Sequence, residues 1–511
     1  FADDLVLLSD SWHGMKHNLD VLAEFCGLTG LRVQGKKCFG FLLSPNPNSK
    51  TRALWCNHCV PWSIAGEGVS MLKKNETTKY LGMQVGPRGG IKRPDLRRKI
   101  GEWLQKVGRA PLSPAQKFWL TRTHVLPRLI YQAVHGDVLA TSLRQVDRDI
   151  RGHVKRWLGL PLSTCNGFLY ASVKDGGLGL QQLEKMVSAI QAKTLFHLLQ
   201  ADDAVVRDLA MGRYGLDGFA RRWRNAGGED ILRPSLPCEF SDLVDSDSSE
   251  DGVAPPTVVK TAWRVPAEWR AEAFANWAAK EVQGVGIAGF KGSPESNSWL
   301  KEINGAACTW LPRALQVRAS VNRTGEFLAR GRRKMDTSCR ACPGRLESSS
   351  HILGMCRATR RERIERHDWV CDKVQAMGER LGWSVHRERT FHFVGGRRLR
   401  PDMVLVKGKQ AHVVDVTVRY EGVRDVLREA CIEKRRIYTV LIPVLRRYFG
   451  VNRVKVWGFP VGARGQWHRD NGRCLTALGC SRAGARKIGR KICRGVLMRS
   501  AGIMRRFLGN G

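Results

Sequence analysis

Acidic residues are scarce in this chain: 47 Asp and Glu stand against 85 Lys and Arg in 511 residues, a formal net charge of +38. That imbalance exceeds what solubility asks for and points to a polyanionic partner, nucleic acid before any other. An anionic membrane surface would attract the same charge. However, no run approaches the ~18 uninterrupted apolar residues that a spanning helix needs, so no membrane partner is expected. No charged-then-apolar leader opens the chain. Residue 1 is Phe rather than Met, so the true N-terminus is expected upstream. Disulfide organisation is also lacking: the fifteen cysteines are an odd number and mostly scattered, which excludes a secreted disulfide scaffold and implies a reducing, intracellular setting. The sequons at Asn75 and Asn322 are therefore read as chance. What is present is 43% hydrophobic residues, enough for sizeable cores, over a length that implies several domains.

Apolar segments alternate with turns at Phe1–Ser9, Leu31–Leu43 and Tyr80–Val85. From Leu96 to Gln200 the apolar spacing becomes helical, notably in Gln116–Val134 and Val146–Leu158, with Pro127 expected to bend the first of these. Gly176–Gly179 marks a turn. Glu239–Pro256, rich in Ser, Asp and Pro, reads as a solvated, disordered linker. Leu399–Tyr448 has a strand–turn–strand–helix pattern. The tail from Val461 to Gly511 carries twelve Lys or Arg and one Asp, and either forms a basic helix near Ala483–Phe507 or stays loose.

Three clusters carry chemistry. Asp3 and Asp4 form an adjacent acidic pair before an apolar strand, the residue type that two-metal phosphoryl transfer uses to hold Mg²⁺. Cys339, Cys342, His351 and Cys356 fit C-x2-C-x8-H-x4-C, a set suited to a closed tetrahedral Zn²⁺, with basic runs at Arg330–Lys334 and Arg360–Arg363 beside it. Cys56-Asn57-His58-Cys59 lacks a second pair. Gly284–Gly289 matches G-x-G-x-x-G without a surrounding βαβ unit. Finally, Leu399–Val406 and Ala411–Val418 read as two strands joined by Lys407–Gln410. If Val406 pairs with Ala411, Asp402 falls opposite Asp415, with Cβ atoms roughly 4.5–5.5 Å apart, close enough to share one Mg²⁺. An unneutralised pair on such apolar strands would be costly. Glu421 reads as a helix-start acid or a further carboxylate near the metal.

Phe1-Ala2-Asp3-Asp4, Gly30–Val33 with Lys36-Lys37-Cys38, and Thr78–Gly82 follow one another as the F/Y-x-D-D motif and the two next palm motifs of reverse transcriptases do. Pro111–Gly136, Arg156–Pro161 and Gly176–Gly179 resemble the thumb of the same elements. The Asp402–Asp415 hairpin and the helix after it resemble the restriction-like PD-(D/E)xK endonuclease of site-specific, LINE-like non-LTR retrotransposons. Thr417 stands where the usual lysine would be, and the resemblance assigns the displaced group to Lys434 with Tyr438.

The chain thus resembles the C-terminal part of a reverse transcriptase–endonuclease polyprotein. That implies a multidomain α+β protein: palm end 1–88, helical thumb 89–200, linker region 201–335, CCHC zinc knuckle 336–370, an α/β restriction-like endonuclease 371–460 and a basic tail 461–511. It implies Asp3 and Asp4 as Mg²⁺ (or Mn²⁺) ligands, Lys37 near the incoming nucleotide, and Asp402, Asp415, Lys434 and Tyr438 as the nuclease. It also implies target DNA and element RNA as partners, deoxynucleotides in the full-length protein, self-association, and a nuclear site of action. Polymerisation is not expected of this chain alone, because the family's partner Asp and fingers precede Phe1. The competing reading is a non-catalytic nucleic-acid-binding protein from a decayed element. A free-standing nuclease fits the palm and thumb motifs less well.

Overall fold

The computed structural model describes residues 4–45, 54–57, 62–88, 90–136, 138–226, 265–303, 310–330, 336–392 and 398–509. Asp3, His58, Cys59, Gly331–Lys334 and the acidic stretch Glu239–Pro256 lie outside these residues. The chain divides into two compact units: one of residues 1–101, 126–146 and 183–226, the other of 102–125, 147–182 and 227–511.

In the first unit, helix Trp12–Thr29 is N-capped by Ser11, whose hydroxyl accepts from the Gly14 N–H, and ends at Gly30 in the left-handed region. Strands Thr78–Tyr80 and Met83–Gly86 form a hairpin with Tyr80 opposite Met83, so Leu81 and Gly82 are its two turn residues, both at positive φ. The Tyr131 hydroxyl donates to the Leu81 carbonyl at 2.6 Å. Helices Leu183–Leu199 and Ala204–Asn225 pack through Phe196, Phe219 and Trp223. The strand expected at the start of the chain does not form among the described residues. Asp4–Ser9 is irregular, and Leu5, Val6 and Leu8 are exposed with no strand to pair with.

The helix expected over Gln116–Val134 is present as Pro114–Leu120, a π-helical turn Thr121–Val125 and Leu126–His135. The widened turn precedes Pro127, whose missing N–H cannot continue an α-helical ladder. The stretch expected as a linker, 201–335, carries structure: the helix ending at Asn225, and the helices Val265–Ala278 and Leu311–Arg318, with Trp277, Leu315 and Val317 fully buried.

A four-stranded sheet lies at the centre of the second unit. Helix α1 (Arg360–Arg380) leads into β1 (Ser384–Arg387), then β2 (Met403–Lys407) and β3 (Gln410–Arg419). Helices α2 (Val426–Thr439) and α3 (Ile442–Phe449) cross to β4 (Arg453–Gly462), and α4 (Arg469–Ala477) and α5 (Arg482–Leu508) close the chain. The order is β1-β2-β3-β4, antiparallel except for β3–β4, which is parallel and therefore needs the helical crossover.

Strand alternation sorts the side chains into two layers. Met403, Leu405, Val414, Val416, Phe459 and Val461 pack with α1, α4 and α5. Val404 and Val413 pack with Tyr438, Leu441 and Leu445 from the α2–α3 side. Two expected divisions do not fall at structural boundaries. Helix α1 runs through residue 370 unbroken, because its Val370, Cys371, Val374 and Met377 stripe belongs to the sheet core. The tail is folded, since Ile492, Cys493, Val496 and Leu497 of α5 are buried.

Candidate metal centre and carboxylate pair

The β2–β3 register carries Val406 opposite Ala411, as the sequence predicts, with one further rung at Lys407–Gln410. The turn therefore has two residues, Gly408 (φ 54°) and Lys409, not four, and the outer register is unchanged. Asp402 lies one position beyond the last rung, Met403–Val414, and so faces Asp415. The backbone ties them together: the Val416 N–H donates to Asp402 Oδ2 at 2.7 Å, and the Asp402 N–H reaches Asp415 Oδ1 at 3.4 Å.

Helix α2 supplies the cation. Lys434 Nζ lies 2.8 Å from Asp415 Oδ2. Tyr438, one turn on and on the same face, donates to the Arg400 carbonyl at 3.2 Å with its hydroxyl within reach of the Asp415 carboxyl. Gly458, the Cα partner of Asp415 on β4, explains how the helix comes so close: a Cβ there would stand 2.5 Å from the Cys431 carbonyl oxygen. Burial, then the Asp402 charge, pushes the Asp415 carboxyl above its ordinary range, and Lys434 opposes both. Burial beside Asp415 likewise raises the Tyr438 phenol. Side-chain exposures of 22% for Lys434 and 19% for Asp402, against 3% for Asp415, make this a cleft open at one side.

Sequence reasoning missed one member. His367 on α1 places Nε2 3.2 Å from Asp402 Oδ2 and 3.1 Å from the Val416 carbonyl oxygen, while Nδ1 meets Asp368 Oδ1 at 3.0 Å. Burial alone would depress this imidazole. Its hydrogen bonds to Asp402 and Cys371 outweigh that and raise it to about 11. The signal was its position one helical turn before Cys371 and two before Val374 on the apolar stripe. Glu421 is neither a helix-start acid nor near the carboxylate pair in function. It is buried, accepts the Arg464 N–H at 3.0 Å, and faces the buried guanidiniums of Arg318 and Arg464.

Cys339, Cys342, His351 and Cys356 converge, with all four donor atoms within 4.8 Å of one another. Cys339 and Cys342 pair in a short hairpin, Ser348 N-caps the helix bearing His351, and the Cys356 N–H bonds to the His351 carbonyl at 2.8 Å. Cys356 Sγ lies 3.9 Å from Cys339 Sγ and 3.7 Å from Cys342 Sγ. Metal–thiolate bonds of about 2.3 Å at tetrahedral angles put sulfurs roughly 3.8 Å apart. His351 Nε2 is buried without a hydrogen-bond partner, as a ligating nitrogen would be. The residues present fit such an ion. Burial, followed by the neighbouring thiols, raises Cys356 to about 11.

Of the remaining expected site residues, Asp3 lies outside the described residues. Asp4 is exposed in an irregular stretch, and Lys37 is exposed at the end of the 3-10 helix Gly35–Lys37. The G-x-G-x-x-G glycines serve packing: Cβ atoms at Gly284, Gly286 and Gly289 would strike the Trp277 carbonyl, the Glu421 carbonyl and the Gln466 side chain.

No family model matches the chain. The chain is nonetheless similar to several Pol polyproteins of retrotransposable elements. In particular they come from the element R2. The chain is 29% identical over 496 residues to the retrovirus-related Pol polyprotein of type-1 element R2 from Popillia japonica, covering 94% of the chain and 61% of the relative. It is 26% identical over 504 residues to that of Bradysia coprophila, covering 97% and 53%. It is 24% identical over 486 residues to that of type-2 element R2DM from Drosophila melanogaster, covering 94% and 42%. The chain thus spans about three-fifths of the first relative's length and less of the others.

Proposed function

We propose that this chain is the C-terminal part of a retrotransposon RNA-directed DNA polymerase and endonuclease, and that its sheet domain nicks DNA. The observation that carries the nuclease reading is the convergence of Asp402, Asp415 and Lys434 in one open cleft. Binding alone requires none of the three. Lys434 stands in for the lysine absent at Thr417, because an ammonium delivered from α2 reaches the same carboxylate.

Asp402, Asp415 and the Val416 carbonyl are the donors for Mg²⁺ or Mn²⁺, which when bound would supply Lewis acidity toward the scissile phosphate. The chain's own groups do the rest. Asp415 holds Lys434 in place, and the ammonium stabilises charge developing on the phosphorane. Water attacks phosphorus and gives up a proton to solvent, the P–O3′ bond breaks, and the departing oxygen takes a proton from solvent. The products are a 5′-phosphate and a 3′-hydroxyl, the end a polymerase extends. In the full-length protein that end would prime copying of the element RNA, with the palm motifs Asp3-Asp4, Lys37 and Thr78–Gly82 as this chain's share of the polymerase. The Tyr80–Met83 hairpin and the similarity to Pol polyproteins support that share.

The four-donor cluster is a structural Zn²⁺ site, forming with its basic surroundings a knuckle for phosphate backbones. No helix among the described residues is long and apolar enough to cross a membrane. Chromosomal DNA as substrate places the work in the nucleus.

Nicking of supercoiled plasmid by the purified chain with Mg²⁺ or Mn²⁺ tests the reading, beside Asp402→Ala and Asp415→Ala. Relaxation by wild type alone, with all three proteins binding DNA, is expected. Equal behaviour of the three would remove the nuclease assignment.

A further inference from the structure

We infer that His367 is a metal ligand of the carboxylate cleft, giving it a mixed nitrogen–oxygen donor set that prefers Mn²⁺ to Mg²⁺. The inference rests on the nuclease reading above and adds to it a ligand and a metal preference.

The geometry is that of neighbouring ligands on one ion. In an octahedral site with bonds of about 2.1 Å, adjacent donors stand roughly 3.0 Å apart. His367 Nε2 is 3.2 Å from Asp402 Oδ2 and 3.1 Å from the Val416 carbonyl oxygen, so the nitrogen stands at that spacing from two oxygen donors of different chemistry. The other ring nitrogen is arranged as in metal-bound histidines. Nδ1 meets a carboxylate, Asp368 Oδ1, at 3.0 Å, a partner that can keep a proton on Nδ1 while an ion displaces the proton from Nε2.

The ring is held from behind as well. The Cys371 thiol, buried in the sheet core, lies 3.9 Å from both ring nitrogens, and α1 is locked to the sheet by Val370, Val374 and Met377. The ring is about a quarter exposed, so an ion can reach it from solvent. An all-oxygen cleft suits Mg²⁺, which gains little from imidazole. First-row transition ions gain more, and among them Mn²⁺ is the ion that shares with Mg²⁺ and Ca²⁺ a preference for carboxylate, carbonyl and water ligands.

Mn²⁺ binding is the test, read by calorimetry and by pulsed electron paramagnetic resonance on zinc-loaded protein. Wild type, His367→Asp, His367→Asn and Asp402→Ala are compared, with the fold of each checked by circular dichroism. In wild type the bound Mn²⁺ should show ¹⁴N imidazole coupling. His367→Asp should lose that coupling, keep binding Mn²⁺, and lower the Mn²⁺:Mg²⁺ affinity ratio about tenfold. His367→Asn provides the same spectroscopic readout if the added acid destabilises the fold. Binding that depends on Asp402 but shows no coupling, or coupling that survives in both His367 variants, overturns the ligand while leaving the nuclease reading intact. Mn²⁺ binding indifferent to Asp402→Ala overturns both.

Discussion

The Lys434 ammonium lies 2.8 Å from Asp415 Oδ2, and the two come from different layers of the fold: Asp415 from the middle of β3, Lys434 from the helix that crosses over to β4. The contact exists because β4 has a glycine, Gly458, at the rung beside Asp415, so α2 can settle onto the sheet there. A cation that neutralises a buried carboxylate and remains partly open to solvent is placed for a phosphate as much as for the acid beside it.

Lys434→Ala should therefore lower plasmid nicking by about 10²–10³-fold, the usual loss when one stabilising donor is removed from a transition state. DNA binding should change little, since Lys434 is one of 85 Lys and Arg. Single-turnover nicking and a filter-binding isotherm check the two halves of this expectation. A loss of binding matching the loss of nicking would make Lys434 a phosphate anchor instead.

Removing the ion proposed for the Cys339–Cys356 cluster should unfold its surroundings. Arg340 grips Glu347 through two hydrogen bonds of 2.9 Å, Glu347 also accepts the Gly325 N–H, and Arg366 links the Leu353 carbonyl to Ser500 on α5. Loss of the cluster would thus reach α5. One zinc per chain is expected by elemental analysis. Cys342→Ser should lower that value and the thermal midpoint together. Because thiolates must form for metal to bind, zinc affinity should fall as pH drops.

The strand pairing around Asp402 and Asp415 was legible because alternation and a glycine turn fix a hairpin's register locally. The Cys/His cluster was legible because its four donors lie within eighteen residues. Lys434 needed the family resemblance, since nothing local says that a helix residue nineteen positions on will return to β3. His367 was hidden by an assumed division at residue 370, although its place on the Val370–Met377 stripe was readable. The tail's helix was one of two readings its composition allowed, and what twelve cations hid was that its Gly, Ala, Ile and Val positions are buried. Glu421 could not be read at all. Its partners Arg318 and Arg464 lie far off in sequence, and only the packed fold reveals the cluster.

That cluster is a liability if broken. Glu421 is the carboxylate facing two buried guanidiniums, and its charge is one that Arg318 and Arg464 both lean on. Glu421→Gln should cost about 3–5 kcal/mol, the usual penalty for stranding a buried charge, measured as a shift in urea midpoint.

His412 should make stability fall in mild acid. It is buried on β3, where Nδ1 accepts from Trp457 Nε1 at 2.9 Å and the ring lies against Trp383. Burial, helped by Lys455, depresses it to about 4 from the ordinary 6.5. The folded side chain therefore stays neutral where the unfolded one takes up a proton. Its contribution is complete above pH 6.5 and drains away as pH falls toward 4. At pH 5 the loss relative to pH 7.5 should be about 2 kcal/mol. His412→Gln, which keeps an acceptor for Trp457 but does not titrate, should remove that part of the pH dependence. Urea unfolding of both proteins at the two pH values isolates it, because the zinc and carboxylate contributions are common to both. Equal pH slopes would mean that Lys455 and the two tryptophans hold the ring in place without excluding its proton.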